Sequence, residues 1–212
     1  PSPIDGYFGA VYYIGPIFTA FRGTPEASQF YSLLRQEIDE RVRLGKGPIT
    51  PDGEMGEEKY RLVTEGPPNW TSFREFWKMF YDEGAVVVAS TYSKVGGLYD
   101  FGFRHDADNP LESLADYCLG CYTNLNLPSR IDMICKYIDE YQADGLLINS
   151  IKSCNSFSAG QLLILREVEK RTGKPAAFIE TDLVDPRYFS AANVKNRLES
   201  YFQMIKQKRT SG

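Results

Sequence analysis

From Glu57 onward the apolar positions fall into two alternating patterns. The runs "YRLVT" (60–64), "AVVVAS" (85–90), "GLLINSI" (145–151) and "AAFIET" (176–181) are short and almost continuously apolar, as strands buried on both faces are. Between them, "TSFREFWKMFYDEG" (71–84), a short segment from about Pro110, Ser129 to Tyr141, and Gln161 to Arg171 with Gly173 beyond it read as helices, and a last helix is expected over 190–208. Ser129 with Asp132 three residues on reads as a capping box. Strand and helix alternate throughout. That order predicts an α/β fold, a doubly wound, mostly parallel open sheet of the Rossmann or flavodoxin kind, with right-handed crossovers.

Upstream the pattern changes. Residues 24–44 open with Thr24 as a cap and Pro25 at the first helical position, and carry Phe30, Leu33, Leu34, Ile38 and Val42 at helical spacing. "GKGPITPDGEMG" (45–56) follows and reads as a linker. The expected organisation is a helical arm and linker at 1–56, packing on a domain outside this sequence, and an α/β domain at 57–212.

At 212 residues, with 42% hydrophobic content, the chain can bury one full core. Its net charge of −4 offers no field for a phosphate backbone, and the basic run Lys206 to Arg209 sits where it complements the end of the last helix. No nucleic-acid partner is expected. Residues 7–21 are apolar but broken by Gly9, Gly15 and Pro16 and too short to span a bilayer, so the expectation is a cytoplasmic protein without a membrane partner. The opening "PSPIDGYFGAVYY" has no initiator methionine, which points to a piece of something longer.

In open α/β sheets, ligands collect outside the carboxyl ends of the strands. Four segments leave those ends here: Glu65-Gly66-Pro67-Pro68, Ser90-Thr91-Tyr92-Ser93, Lys152-Ser153-Cys154-Asn155-Ser156 and Glu180-Thr181-Asp182. Cys154 is therefore expected on the rim of the site, just beyond the third of these strands and within reach of the other three loops. A helix N-terminus and nearby Lys152 would favour its thiolate, the form that binds metal or attacks carbon. The alternative is a small residue filling a loop, although the polar neighbours Ser153, Asn155, Ser156 and Ser158 suit hydrogen bonding to cluster sulfurs or to an anion.

The other candidates carry less. Cys118 and Cys121 form a single C-x-x-C, and a structural zinc would have to draw on Cys135, Cys154 and the only histidine, His105, with no second pair at suitable spacing. The pair also comes too late in the fold for a thioredoxin-like motif, which leaves it structural. Cys135 shares an apolar stripe with Ile131, Ile134 and Ile138 and reads as core. His105 lies in a charged loop and reads as surface, which argues against hydrolase chemistry. Neither G-x-x-x-x-G-K-[ST] nor G-x-G-x-x-G follows a strand. Glu65, Glu180 and Asp182 are carboxylates that could do acid/base work or equally cap helices and pair with cations.

The run "ADGLLINSIKSCNSFSAGQLLILREVEKRTGKPAAFIETDLVDPRYFSAANVKNRLESYFQMI" (143–205) closely resembles the C-terminal part of the benzoyl-CoA reductase and 2-hydroxyacyl-CoA dehydratase family, and the resemblance extends back over most of residues 57–205. B-type subunits of the ATP-dependent ring reductases look nearest. What the resemblance implies is a role in reductive dearomatisation of an aromatic acyl-CoA. The cysteine of the family's K-x-C segment is a ligand to a 4Fe-4S cluster, and it maps onto Lys152-Ser153-Cys154. Ser153, Asn155 and Ser156 would then surround the cluster. Dehydratase members tend to carry an aromatic residue before this cysteine and Asp-Pro after it, so Ser153 and Asn155-Ser156 favour the ring-reducing branch.

One thiolate cannot hold a four-iron cluster. The family's other cluster cysteines lie in an N-terminal domain outside this sequence, so the fragment alone is expected to lack the cluster and to be inactive. The implied partners are a second homologous cluster-bearing subunit and a separate ATP-dependent activator, which agrees with the missing phosphate loop. The rival readings are a 2-hydroxyacyl-CoA dehydratase subunit and a non-catalytic Rossmann-like binding or scaffold module with Cys154 inert.

Overall fold

The computed structural model describes residues 1–12, 23–50, 53–93 and 97–210. In chain order its elements are α1 (Gly6–Tyr12), α2 (Pro25–Leu44), β1 (Ile49–Thr50), β2 (Gly53–Glu54), β3 (Tyr60–Glu65), α3 (Phe73–Asp82), β4 (Ala85–Ser90), α4 (Pro110–Leu119), α5 (Leu127–Glu140), β5 (Gly145–Ile151), α6 (Asn155–Ser158), α7 (Gln161–Thr172), β6 (Ala176–Thr181) and α8 (Ala191–Thr210). The four apolar runs form one parallel sheet in the order β4-β3-β5-β6. Because side chains alternate across a strand, each run feeds two cores. Leu62, Val87 and Leu147 join one core, while Val63, Ala89, Leu146 and Ile148 join the other.

The first core is closed by α1, α3 and α8 through Tyr7, Phe76, Phe80, Leu198 and Phe202; the second by α5 and α7 through Ile131, Ile134, Ile164 and Val168. Helices on both faces make the sheet doubly wound, as the pattern predicts. Each fully buried large side chain contributes about 1.5–3 kcal/mol, so these two layers account for most of the driving force.

Three local differences from the sequence reading have clear causes. Residues 5–8, assigned to the arm, pack into the α/β unit. Asp5 Oδ1 accepts from the amides of Tyr7 (3.0 Å) and Phe8 (3.1 Å), and its Oδ2 accepts from Val87 on the edge strand β4 (2.9 Å). One carboxylate thereby caps α1 and stitches it to the sheet. Helix α5 starts ahead of Ser129, because Pro128 is pre-set for a first helical turn and Asn126 supplies the cap, accepting from the Ser129 amide at 3.0 Å. Inside the expected linker, β1 and β2 pair in a short antiparallel ladder.

The helix read at 24–44 is present as α2, with Thr24 accepting from the Ala27 amide at 3.2 Å and Gly45 closing it at φ 64°. None of its residues is buried, and Phe30, Leu33 and Val42 are exposed. Of the apolar stretch 7–21, residues 13–21 lie outside the described residues. Among the described residues no helix is long and apolar enough to cross a membrane.

Candidate functional site

The chain leaves β3 for β4 on one side, then returns past β3 to build β5 and β6 on the other. The topological switch point therefore lies between the carboxyl ends of β3 and β5, where open α/β sheets form their ligand crevice. Gly66, immediately after β3, has φ 92°. A side chain there would collide with the Asn149 carbonyl, so only glycine lets the two strand ends approach this closely. Asn149 then ties three exits together, its amide donating to the Pro67 carbonyl (2.6 Å) and its oxygen accepting from the Thr181 hydroxyl (2.9 Å).

Beyond β5 the backbone turns at once. Lys152 N–H donates to the Thr181 carbonyl (3.1 Å), Ser153 N–H to Asp182 Oδ2 (3.0 Å), and Cys154 N–H to the Ile151 carbonyl (3.2 Å). Cys154 precedes α6, and its carbonyl accepts from both the amide (2.9 Å) and the hydroxyl (2.8 Å) of Ser158. The cysteine is partly exposed at the ligand end of the sheet. Its turn meets all three neighbouring loops: Ser153 meets Asp182, Phe157 faces Tyr92 at 6.2 Å between ring centroids, and Gln161 donates to Glu65.

Several sequence expectations change here. The helix thought to favour a thiolate is the four-residue turn α6, too short for a developed dipole. The Lys152 ammonium is engaged with Glu180 at 3.5 Å and lies over the Tyr188 ring. Ser153 is committed to Asp182, whereas Asn155 and Ser156 are exposed beside Cys154. Burial of Asp182 opposes its charge, but the Ser153 hydroxyl and the amides of Val184, Asp185 and Ser153 outweigh it and hold the carboxyl down at about 2.

Glu65, expected on the rim, is fully buried. Its Oε1 accepts from the Tyr122 hydroxyl (3.1 Å) and from Arg130 Nη2 (2.9 Å), while Oε2 accepts from the Gln161 side-chain amide. Arg130 also lies over the Tyr122 ring, 4.6 Å from its centroid. Burial pushes Glu65 up to about 7, against the pull of Arg130, Gln161 and Tyr122. Burial, and then the Glu65 charge, raise the Tyr122 phenol far above its ordinary value, so it stays a donor. Burial opposes the Arg130 charge, but Tyr122 and Glu65 more than compensate and the guanidinium is retained. Tyr122, Arg130 and Gln161 escaped the sequence reading; the one signal was a basic residue on the apolar stripe of α5.

The remaining cysteines do not converge on Cys154. Cys118 is exposed at the end of α4, Cys121 donates to the Tyr117 carbonyl (3.5 Å), and Cys135 packs against the second core, where burial raises its thiol. Among the described residues no group of three or more His, Cys, Asp or Glu is placed to hold a metal ion. His105 is exposed, 3.3 Å from the Ser113 hydroxyl, among the rings of Tyr99, Phe103 and Tyr117.

The family profile described as "2-hydroxyglutaryl-CoA dehydratase, D-component" matches residues 1–205. The B-type subunit of benzoyl-CoA reductase from Thauera aromatica is 80% identical over 99% of this chain and 49% of its own length. The (R)-2-hydroxyisocaproyl-CoA dehydratase alpha subunit of Clostridioides difficile is 28% identical over 99% of this chain and 48% of its own. The alpha subunit of the (R)-2-hydroxyglutaryl-CoA dehydratase of Acidaminococcus fermentans is 25% identical over 97% and 40%. The chain thus spans about half the length of the curated relatives it matches, or less.

Proposed function

Because the chain belongs to the 2-hydroxyglutaryl-CoA dehydratase D-component family, we propose that it is part of the B-type subunit of a benzoyl-CoA reductase, acting in ATP-dependent reductive dearomatisation of an aromatic acyl-CoA. The carrying observation is the contrast in identity: 80% to a ring-reductase subunit against 28% and 25% to the two dehydratase subunits, over almost the same residues.

In this reading Cys154 is one ligand of a 4Fe-4S cluster. Its partly exposed thiol at the switch point suits a single-ligand role, and the remaining ligands come from outside these residues. When bound, such a cluster supplies one-electron transfer. The chain's own part is to present the sulfur on a hydrogen-bonded turn, with Asn155 and Ser156 exposed beside it as hydrogen-bond donors. The partners are a second homologous cluster-bearing subunit and a separate activator that hydrolyses ATP in the cytoplasm. The exposed apolar stripe of α2 packs on a further domain of the subunit.

The test uses the complete subunit with its partner and activator, purified without oxygen and supplied with ATP. Benzoyl-CoA should be converted to a ring-reduced product. Dehydration of a 2-hydroxyacyl-CoA without ring reduction would transfer the chain to the other branch of the family, and activity on neither would leave the scaffold reading.

A further inference from the structure

The neighbours of the buried Glu65 all lead to one turn. Glu65 Oε1 holds Tyr122 and Arg130, and its Oε2 holds Gln161, the first residue of α7. Arg130 Nη1 reaches the Ala159 carbonyl at 3.5 Å, and the Tyr122 ring stacks on Phe157 at 6.1 Å and 24°. Three positions between Cys154 and the start of α7 therefore rest on a single buried ion pair. Thr181 and Asp182 hold the beginning of the same segment through Lys152 and Ser153.

We propose that Glu65, together with Arg130, is a positioning residue for Cys154, fixing the far end of the cysteine turn against β3 so that the sulfur keeps one place at the switch point. The inference rests on Cys154 being a cluster ligand. A buried ion pair is a poor source of stability, because desolvation consumes most of its Coulomb energy and apolar residues of similar volume often do as well. What it provides is direction. The charge-assisted bonds of Glu65 are short and angle-dependent, and they point to β3 and α5 on one side and to α7 on the other. The groups facing Glu65 from the packed elements are Arg130 and Tyr122, with Gln161 the remaining polar contact, so no second acid competes for the guanidinium.

The experiment compares the wild-type subunit, complexed with its partner, with Gln161→Leu, Glu65→Gln and Cys154→Ser. Gln161→Leu removes the link to α7 and leaves the Glu65–Arg130 pair intact, so it decides the matter even if Glu65→Gln fails to fold. Expected for Gln161→Leu is retained iron, a shifted or broadened EPR spectrum of the reduced cluster, and about tenfold faster hydrogen exchange at the amides of Cys154, Ser158 and Ala159. A purely structural role would lower the melting temperature and leave the EPR spectrum of folded protein unchanged. A wild-type spectrum and wild-type exchange in folded Gln161→Leu would overturn the proposal. If Cys154→Ser leaves the spectrum unchanged, the ligand assignment fails and the proposal falls with it; accelerated exchange in Gln161→Leu would identify that case.

Discussion

A Cβ added to Gly66 would stand 2.2 Å from the carbonyl oxygen of Asn149, so the exit of β3 and the end of β5 meet backbone to backbone. Gly66→Ala combines that collision with a positive φ. It is expected to cost about 3 kcal/mol, read as a lower denaturant midpoint with an unchanged slope. A midpoint equal to that of the wild type would show that the strand ends need not touch.

The buried pair makes a separate demand on stability. Arg130→Met leaves the Glu65 carboxylate without its cation and should cost about 3–5 kcal/mol, whereas the double variant Glu65→Met/Arg130→Met should recover a large part of that loss. Denaturant titration of the four proteins closes the cycle. Simple additivity of the two single changes would mean that the residues do not act as a pair.

Much of this architecture is legible in the sequence, because buried parallel strands are written as continuous apolar runs. β4, β5 and β6 begin and end where those runs do. The site is less legible. The partners of Glu65 lie 57, 65 and 96 residues away along the chain, and no local pattern announces such a meeting. Glu65 closing the run "YRLVTE" reads as a polar exit from the sheet, and only the fold shows that α5 and α7 cover it. Helix α1 is hidden for a different reason. It is short, contains glycine, and depends on Asp5 binding an edge-strand amide rather than on its own periodicity.

Three carboxyls give the stability curve its shape. Burial raises Glu65 from an ordinary 4.5 to about 7 and Asp5 from 3.8 to about 6. Acids with raised folded-state values bind protons more tightly when folded, so their contribution is complete below the unfolded value and is lost as pH rises through the folded one. Asp182, held at about 2, acts in the opposite sense: its contribution is present above 3.8 and is lost as pH falls through about 2. Thermal melts should therefore show the wild type losing stability between pH 4.5 and 7 more steeply than Glu65→Gln, and Asp182→Asn should flatten the acid limb below 3.8. Parallel curves for wild type and Glu65→Gln would contradict the assignment of Glu65.

Cys154 is either a ligand to iron or a packing residue, and one measurement separates the two. It is the iron and acid-labile sulfide content per subunit of Cys154→Ser, purified without oxygen together with its partner, with Cys135→Ser as the control. Serine changes the volume little but replaces a thiolate with a poor ligand for iron. Cys135 packs on the second core, so its replacement should lower the melting transition by burying a hydroxyl while iron is retained. If Cys154 is a ligand, Cys154→Ser loses the subunit's cluster and its ring reduction while the melting transition stays near that of the wild type. A full complement of iron and sulfide in Cys154→Ser, with turnover intact, would contradict that role.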